Sequence, residues 1–327
     1  MEPFRFVKAQ DTLTAIRAAG INQAKFIAGG TNMLDLMKLN IETPKQVVDI
    51  NKLSLYKIEE LQNGGVRIGA LVRNSDLAHN AYIIKNFPVL SEALLSGASP
   101  QLRNMATTGG NLMQRTRCPY FYSTDFACNK RIPGSGCAAV SGYNRMNAVL
   151  GTSEKCIATH PSDMCVAMTA LGAIIHVQGP KGVRMIPFAD FHLLPGQTPQ
   201  IEHNLKQDEL ITHVEIPALP FAVKSHYLKV RDRASYEFAL TSAAVALDIQ
   251  GGTIKGARIA LGGVGTKPWR SLEAERALVG QPANAQTYRA AAEAALATAK
   301  PNKDNAFKVE LAKRTLVRAL TTVEGMS

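Results

Sequence analysis

Five cysteines fall between Ala106 and Cys165, and the rest of the 327-residue chain has none. Four follow the pattern Cys118-x9-Cys128-x8-Cys137-x18-Cys156, with Cys165 on the segment after them. Thiols placed in this way can do several kinds of chemistry. Disulfides need an oxidising compartment, and an odd cysteine count argues against a framework of them. Zinc sites usually draw ligands from tight C-x2-C pairs, whereas neighbouring cysteines here are nine or more positions apart. An iron–sulfur cluster needs four thiolates brought in on loops, without a fixed local spacing. Loops carrying Pro119, Pro133, Gly134 and Gly136 can wrap such an object and aim backbone N–H groups at its sulfurs. On the residues alone, cluster, zinc, disulfide and free thiol all remain open.

Two small-residue turns carry a second possible chemistry. Lys25-Phe26-Ile27-Ala28 reads as a buried strand running into Gly29-Gly30-Thr31-Asn32, after which Met33 to Leu39 has helical spacing. Strand, glycine turn and helix N-terminus together present free N–H groups and a positive dipole end to an anion. Glycines let the backbone approach a phosphate without a Cβ in the way. Thr107-Thr108-Gly109-Gly110-Asn111 is a second turn of this kind, and two such turns suit a diphosphate better than one. A Gly-Gly turn between strand and helix is also a common structural element, so neither is diagnostic alone.

The elements that must position these residues follow from periodicity. Phe4–Val7, Gln46–Ile50 and Val66–Val72 read as strands, and Asp11 caps a helix over Thr12–Ala19. Asp76 opens a short helix, and Pro88–Leu95 is amphipathic up to Gly97. His160-Pro161-Ser162-Asp163 reads as the start of a helix over Pro161–Leu171, with proline at the first helical position. Ala173–Val177 and Val183–Ile186 form a hairpin, Phe188–Pro199 is irregular, and Glu209–Ile216 is a strand. Pro217-Ala218-Leu219-Pro220 is the expected boundary between a domain over 1–220 and a smaller one over 221–327. In the latter, Ser225–Val230, Thr241–Ile249 and Ala257–Leu261 alternate as antiparallel strands. Glu273–Val279, Ala285–Ala299 and Phe307–Leu320 are helices, so the fold class is α+β.

Composition narrows the function. Net charge is +11, but Lys and Arg are scattered without a basic run, so nucleic acid is not the expected partner. No apolar stretch reaches the length of a membrane span. MEPFRFVKAQ lacks the basic start and apolar middle of a signal peptide, so export, if it occurs, is expected to depend on a partner.

Both turns and the cysteine stretch, taken with HPSD, Lys229-Val230-Arg231-Asp232-Arg233 and Ala257-Arg258-Ile259-Ala260-Leu261-Gly262-Gly263-Val264, give the chain a specific resemblance. It resembles the medium, FAD-binding subunits of molybdenum hydroxylases of the xanthine dehydrogenase and carbon monoxide dehydrogenase type, over nearly its whole length. The cysteine insertion, about 115–157, resembles the subset with an extra [4Fe–4S] cluster, which includes periplasmic aldehyde oxidoreductases and hydroxybenzoyl-CoA reductases. The resemblance implies a two-part FAD-binding domain of the PCMH/CO dehydrogenase flavoprotein type, followed by a smaller α/β C-terminal domain. It implies that Phe26, Ile27, Ala28, Gly29, Gly30, Thr31, Asn32, Met33 and Leu34, with Thr107, Thr108, Gly110 and Asn111, hold the FAD diphosphate. Asp163 is placed toward the ribose and adenine side and Lys229 near the flavin ring; apart from the resemblance, these are a helix-start acid and an ordinary exposed cation.

The implied cofactors are FAD and [4Fe–4S], and the implied partners are a small [2Fe–2S] subunit and a large molybdopterin subunit in a heterotrimer. The implied activity is electron transfer for an aldehyde oxidoreductase, in the periplasm by co-export or otherwise in the cytoplasm. No catalytic residue is expected on this chain. The alternatives are a cluster-bearing interaction subunit without flavin, or the equivalent subunit of a xanthine dehydrogenase or hydroxybenzoyl-CoA reductase-like enzyme.

Within this frame Cys118, Cys128, Cys137 and Cys156 are the expected cluster ligands, because they sit in irregular backbone from which thiolates can converge. Cys165 lies two residues after Asp163 on a helix, about 200° away, and is expected to pack as a small apolar residue. Arg115, Arg117, Lys130 and Arg131 flank the first ligands, and their charge is expected to ease reduction of the cluster.

Overall fold

A computed structural model describes residues 1–326. The chain begins with a three-stranded parallel sheet in which Gln46–Asp49 lies between Arg5–Lys8 and Ala24–Ile27. Parallel neighbours need crossovers, and the helices Thr12–Ala19 and Met33–Lys38 serve as them. Asp11 caps the first, accepting from the Thr14 N–H at 2.8 Å.

A five-stranded antiparallel sheet follows, ordered Ile58–Glu60, Val66–Gly69, Leu210–Ile216, Ile174–Gly179 and Gly182–Pro187. The expected strand from Val66 to Val72 stops at Gly69, where a Cβ would come within 2.2 Å of the Leu55 carbonyl oxygen. Chain crossing, which alternation does not reveal, ends it. Ile58–Glu60 was missed because three residues carry too little pattern.

The last unit is a four-stranded antiparallel sheet, Trp269–Arg270, Thr253–Gly262, Thr241–Gln250 and Ser225–Val230, with the helices Leu272–Leu278, Ala285–Leu296 and Phe307–Glu324 packed on it. Between this sheet and the five-stranded one runs the helix Asp163–Ala170, all eight residues of which are buried. A helix apolar on every side belongs in a core, and this one brings its N-terminus to the edge of the cleft described below. It begins later than expected: Ser162, not Pro161, ends the preceding chain, and its hydroxyl caps the Cys165 N–H at 3.0 Å. Among the described residues no helix is long and apolar enough to cross a membrane.

Candidate functional site

A cleft of about 1480 Å³ opens between the three-stranded parallel sheet and the rest of the protein, above the roughly 300–1,000 Å³ common for small-ligand sites. Every residue from Phe26 to Leu34 lines it. The turn is built by contact with its neighbour: a Cβ on Gly29 would lie 1.9 Å from the Met105 carbonyl oxygen, and Gly30 has φ +72°. The N–H groups of Gly29, Gly30, Thr31 and Asn32 have no acceptor within the described protein. Buried or half-buried N–H groups are rarely left unpaired, and a run of them is an anion nest.

The second turn differs from expectation. Thr107, Gly110 and Asn111 line the cleft, but Thr108 is fully buried, and its N–H and hydroxyl both donate to the Val72 carbonyl. The Gly109 N–H goes to Ala70, that of Gly110 to the Thr107 hydroxyl and that of Asn111 to the Thr107 carbonyl. This turn therefore has no spare donors at Thr108 to Asn111. It shapes the cleft and offers the Asn111 amide, whose oxygen already accepts from Ser162 and Gln114. Asn32 is also partly used: its side-chain oxygen accepts from the Arg115 N–H at 2.9 Å, tying the first turn to the cysteine segment.

Asp163 and Lys229 both line the cleft, and they touch. Lys229 Nζ lies 2.8 Å from Asp163 Oδ2, with side-chain exposures of 4% and 9%. Lys229 also donates to the Ser96 carbonyl at 3.0 Å, and the Tyr227 hydroxyl donates to Asp163 Oδ1 at 2.6 Å. The helix-start acid and the strand lysine, 66 residues apart in sequence, are thus brought together. They form one point on the cleft wall. Lys229 is accordingly not an exposed cation. Arg103, Gln200, Ile201, Tyr236 and Phe238 also line the cleft and carry no local sequence signal for doing so.

All five cysteines are free thiols. Cys128 and Cys137 face each other across an antiparallel bridge whose turn uses Gly134 and Gly136 at φ +84° and +102°. Cys118 opens the helical turn Pro119–Tyr122, and Cys156 closes a tight turn from Ser153. Burial pushes the Cys118 thiol up, with charge repulsion from Cys128 added, and pushes Cys156 up to about 12, with repulsion from Cys137 and Cys118 added. The four sulfurs thus share one neighbourhood, yet no three of them lie mutually within 4.8 Å. A tetrahedral zinc site with Zn–S bonds of about 2.3 Å sets its sulfurs about 3.8 Å apart.

Cys165 is fully buried beside His160 and His192, and burial pushes it up to about 12. His160 packs at the helix start, accepting from the Ser162 N–H.

Two of the four cations that flank the cysteines are neutralised by carboxylates. Arg115 pairs with Glu42 and Glu202, both at 2.6 Å, and Lys130 pairs with Glu202 at 2.6 Å. Arg131 is spread over the carbonyls of Tyr120, Phe121 and Phe126. For Arg115 and Lys130 the expectation of free positive charge is corrected accordingly, whereas Arg131 keeps its charge against neutral carbonyls and Arg117 lies 3.8 Å from Asp35. Glu202 and Glu42, distant in sequence, supply the balance.

Residues 2–219 match the FAD binding domain in molybdopterin dehydrogenase, and residues 226–323 the CO dehydrogenase flavoprotein C-terminal domain. The chain is 54% identical over 320 residues to the aldehyde oxidoreductase FAD-binding subunit PaoB of Escherichia coli, covering 98% of this chain and 96% of that one. The chain belongs to the FAD-binding medium subunits of the molybdenum hydroxylase family. The glyceraldehyde dehydrogenase medium chain of Sulfolobus acidocaldarius is 29% identical, with 86% and 83% of the two chains covered. Carbon monoxide dehydrogenase of Hydrogenophaga pseudoflava shares the fold at a TM-score of 0.77 and 26% identity, over 99% of each chain. In this FAD-binding subunit the unpaired N–H groups of Gly29 to Asn32 are a run of free donors suited to an anion.

Proposed function

We propose that this medium subunit holds FAD non-covalently in the cleft and a [4Fe–4S] cluster on Cys118, Cys128, Cys137 and Cys156, as the electron-transfer subunit of an aldehyde oxidoreductase. The observation that carries the flavin site is the run of four unpaired N–H groups opening onto a cleft of this size. FAD, when bound, accepts electrons singly and passes them on in pairs. The chain's own residues bind and orient. The first turn holds the diphosphate, the Asp163–Lys229 pair fixes a polar point on the wall, and Asn32 couples the turn to the cysteine segment.

The cluster reading is supported by four thiols near enough to repel one another as anions, no three of them mutually within 4.8 Å. Thiolates bound at the corners of a cube sit farther apart than those on a single ion. Backbone donors reach the sulfurs, as Ala158 N–H does Cys156 Sγ at 3.4 Å. Thiols disfavoured as anions by burial ionise when a metal supplies the compensating charge. The aldehyde assignment rests on similarity to PaoB and the glyceraldehyde dehydrogenase medium chain. With it come a small [2Fe–2S] partner and a large molybdopterin partner, on which the organic substrate reacts.

The test is acid extraction of flavin from the purified complex. One FAD per chain is expected to be released. Gly30→Ala places its Cβ against the Leu34 and Ile27 side chains, with no backbone atom in the way, but forces an unfavourable φ. It is expected to lower occupancy while far-ultraviolet circular dichroism stays unchanged. Full occupancy in that variant contradicts the diphosphate assignment.

A further inference from the structure

Asn147 lies on the cysteine segment, is 2% exposed, and is not one of the residues that the family motifs single out. Its side-chain amide Nδ2 points at Cys118 Sγ, 3.7 Å away, and also lies 3.3 Å from the Ile157 carbonyl. The backbone around it is gripped from the C-terminal domain. Lys308, fully buried, directs its ammonium at the carbonyls of Met146, Asn147 and Gly263, at 3.2, 3.1 and 2.6 Å. Asn305, also fully buried, donates its amide to the carbonyls of Asn147 and Ala148, both at 3.3 Å. The Asp304 N–H donates to the Asn144 side-chain oxygen at 3.0 Å, three residues before Asn147.

A buried lysine without a carboxylate partner is expensive, and three carbonyls on its three donors are the arrangement that makes it tolerable. Two of those carbonyls flank the Asn147 side chain, so the grip fixes the direction in which its amide points. A hydrogen bond to a ligating sulfur stabilises the more negative, reduced state and raises the reduction potential. Arg115 and Lys130 are matched by Glu42 and Glu202, so these two cations add little to that effect.

We infer that Asn147, oriented by Lys308 and Asn305 of the C-terminal domain, is a positioning residue that sets the potential of the centre on Cys118. Through it the C-terminal domain acts on a cofactor held by the N-terminal one. The inference rests on the cluster reading of the preceding section.

The test is a redox titration of the anaerobically purified complex, followed by electron paramagnetic resonance, with iron and acid-labile sulfide counted beforehand. Asn147→Leu removes the donor at similar volume, and Asn147→Asp keeps the shape but faces the sulfur with a carboxylate. Both are expected to retain the iron and to lower the midpoint potential of this centre, Asn147→Asp further. Lys308→Met is expected to shift it in the same direction, by less in the Asn147→Leu background than in the wild type. If Asn147→Leu fails to assemble, Asn147→Asp decides: a lower midpoint supports the inference and an unchanged one overturns it. An intact centre whose midpoint is unmoved in both Asn147 variants overturns this inference alone. A wild-type complex without this centre overturns the cluster reading and the inference with it.

Discussion

Lys229 Nζ sits 2.8 Å from Asp163 Oδ2, across 66 residues of chain, in a contact almost closed to solvent. The acid begins the helix threaded between two sheets, and the lysine stands on the strand Ser225–Val230 of the C-terminal sheet. The pair therefore joins the two units at the cleft wall.

Breaking it from one side leaves a buried charge without its partner, which typically costs about 3–5 kcal/mol. Lys229→Met and Asp163→Asn are each expected to lose stability on that scale in urea denaturation. The double variant is expected to recover most of the loss, because neither charge is then stranded. Additive losses in the double variant would show that the two residues act independently.

Glu202 gives the acid limb of stability. Burial pushes its carboxyl up, but Lys130 and Arg115 outweigh this and hold it at about 2, below its ordinary value of 4.5. A depressed folded value stabilises the fold fully above the unfolded one and is lost as pH falls through the folded one. The window is therefore about pH 4.5 down to about 2. The amount at stake is on the order of 3 kcal/mol. Glu202→Gln is expected to be less stable than the wild type at pH 7 and to show a flatter stability profile over that window. A wild-type and variant profile of equal slope there contradicts the role given to Glu202.

Much of the cleft was legible from local pattern. Strand, Gly-Gly and helix spacing at Phe26 to Leu39 can be read in one pass, and the structure leaves the N–H groups of Gly29 to Asn32 unpaired. The second turn looks alike in sequence and behaves differently, because its donors are spent on Ala70, Val72 and Thr107. No local pattern shows which carbonyl will face an N–H. Gly29 is a similar case. It was read as leaving room for phosphate, and it is required by the approach of Met105. The Arg115–Glu202 and Lys308–Asn147 contacts join residues 87 and 161 apart, a separation at which composition and periodicity are silent. The helical turns at Pro119–Tyr122 and Ala138–Ser141 were read as irregular, since four residues are barely one turn.

The measurement that bears most directly on the account is the flavin and iron content of the anaerobically purified complex, in the wild type and in five single Cys→Ser variants. The wild type is expected to carry one FAD per chain. Replacing Cys118, Cys128, Cys137 or Cys156 is expected to remove the centre's iron, about four atoms, with the matching cluster absorbance. Cys165→Ser, buried beside His160 and His192, is expected to keep both. Loss of that iron in Cys165→Ser with one of the other four dispensable, or a wild-type complex without flavin, contradicts the account.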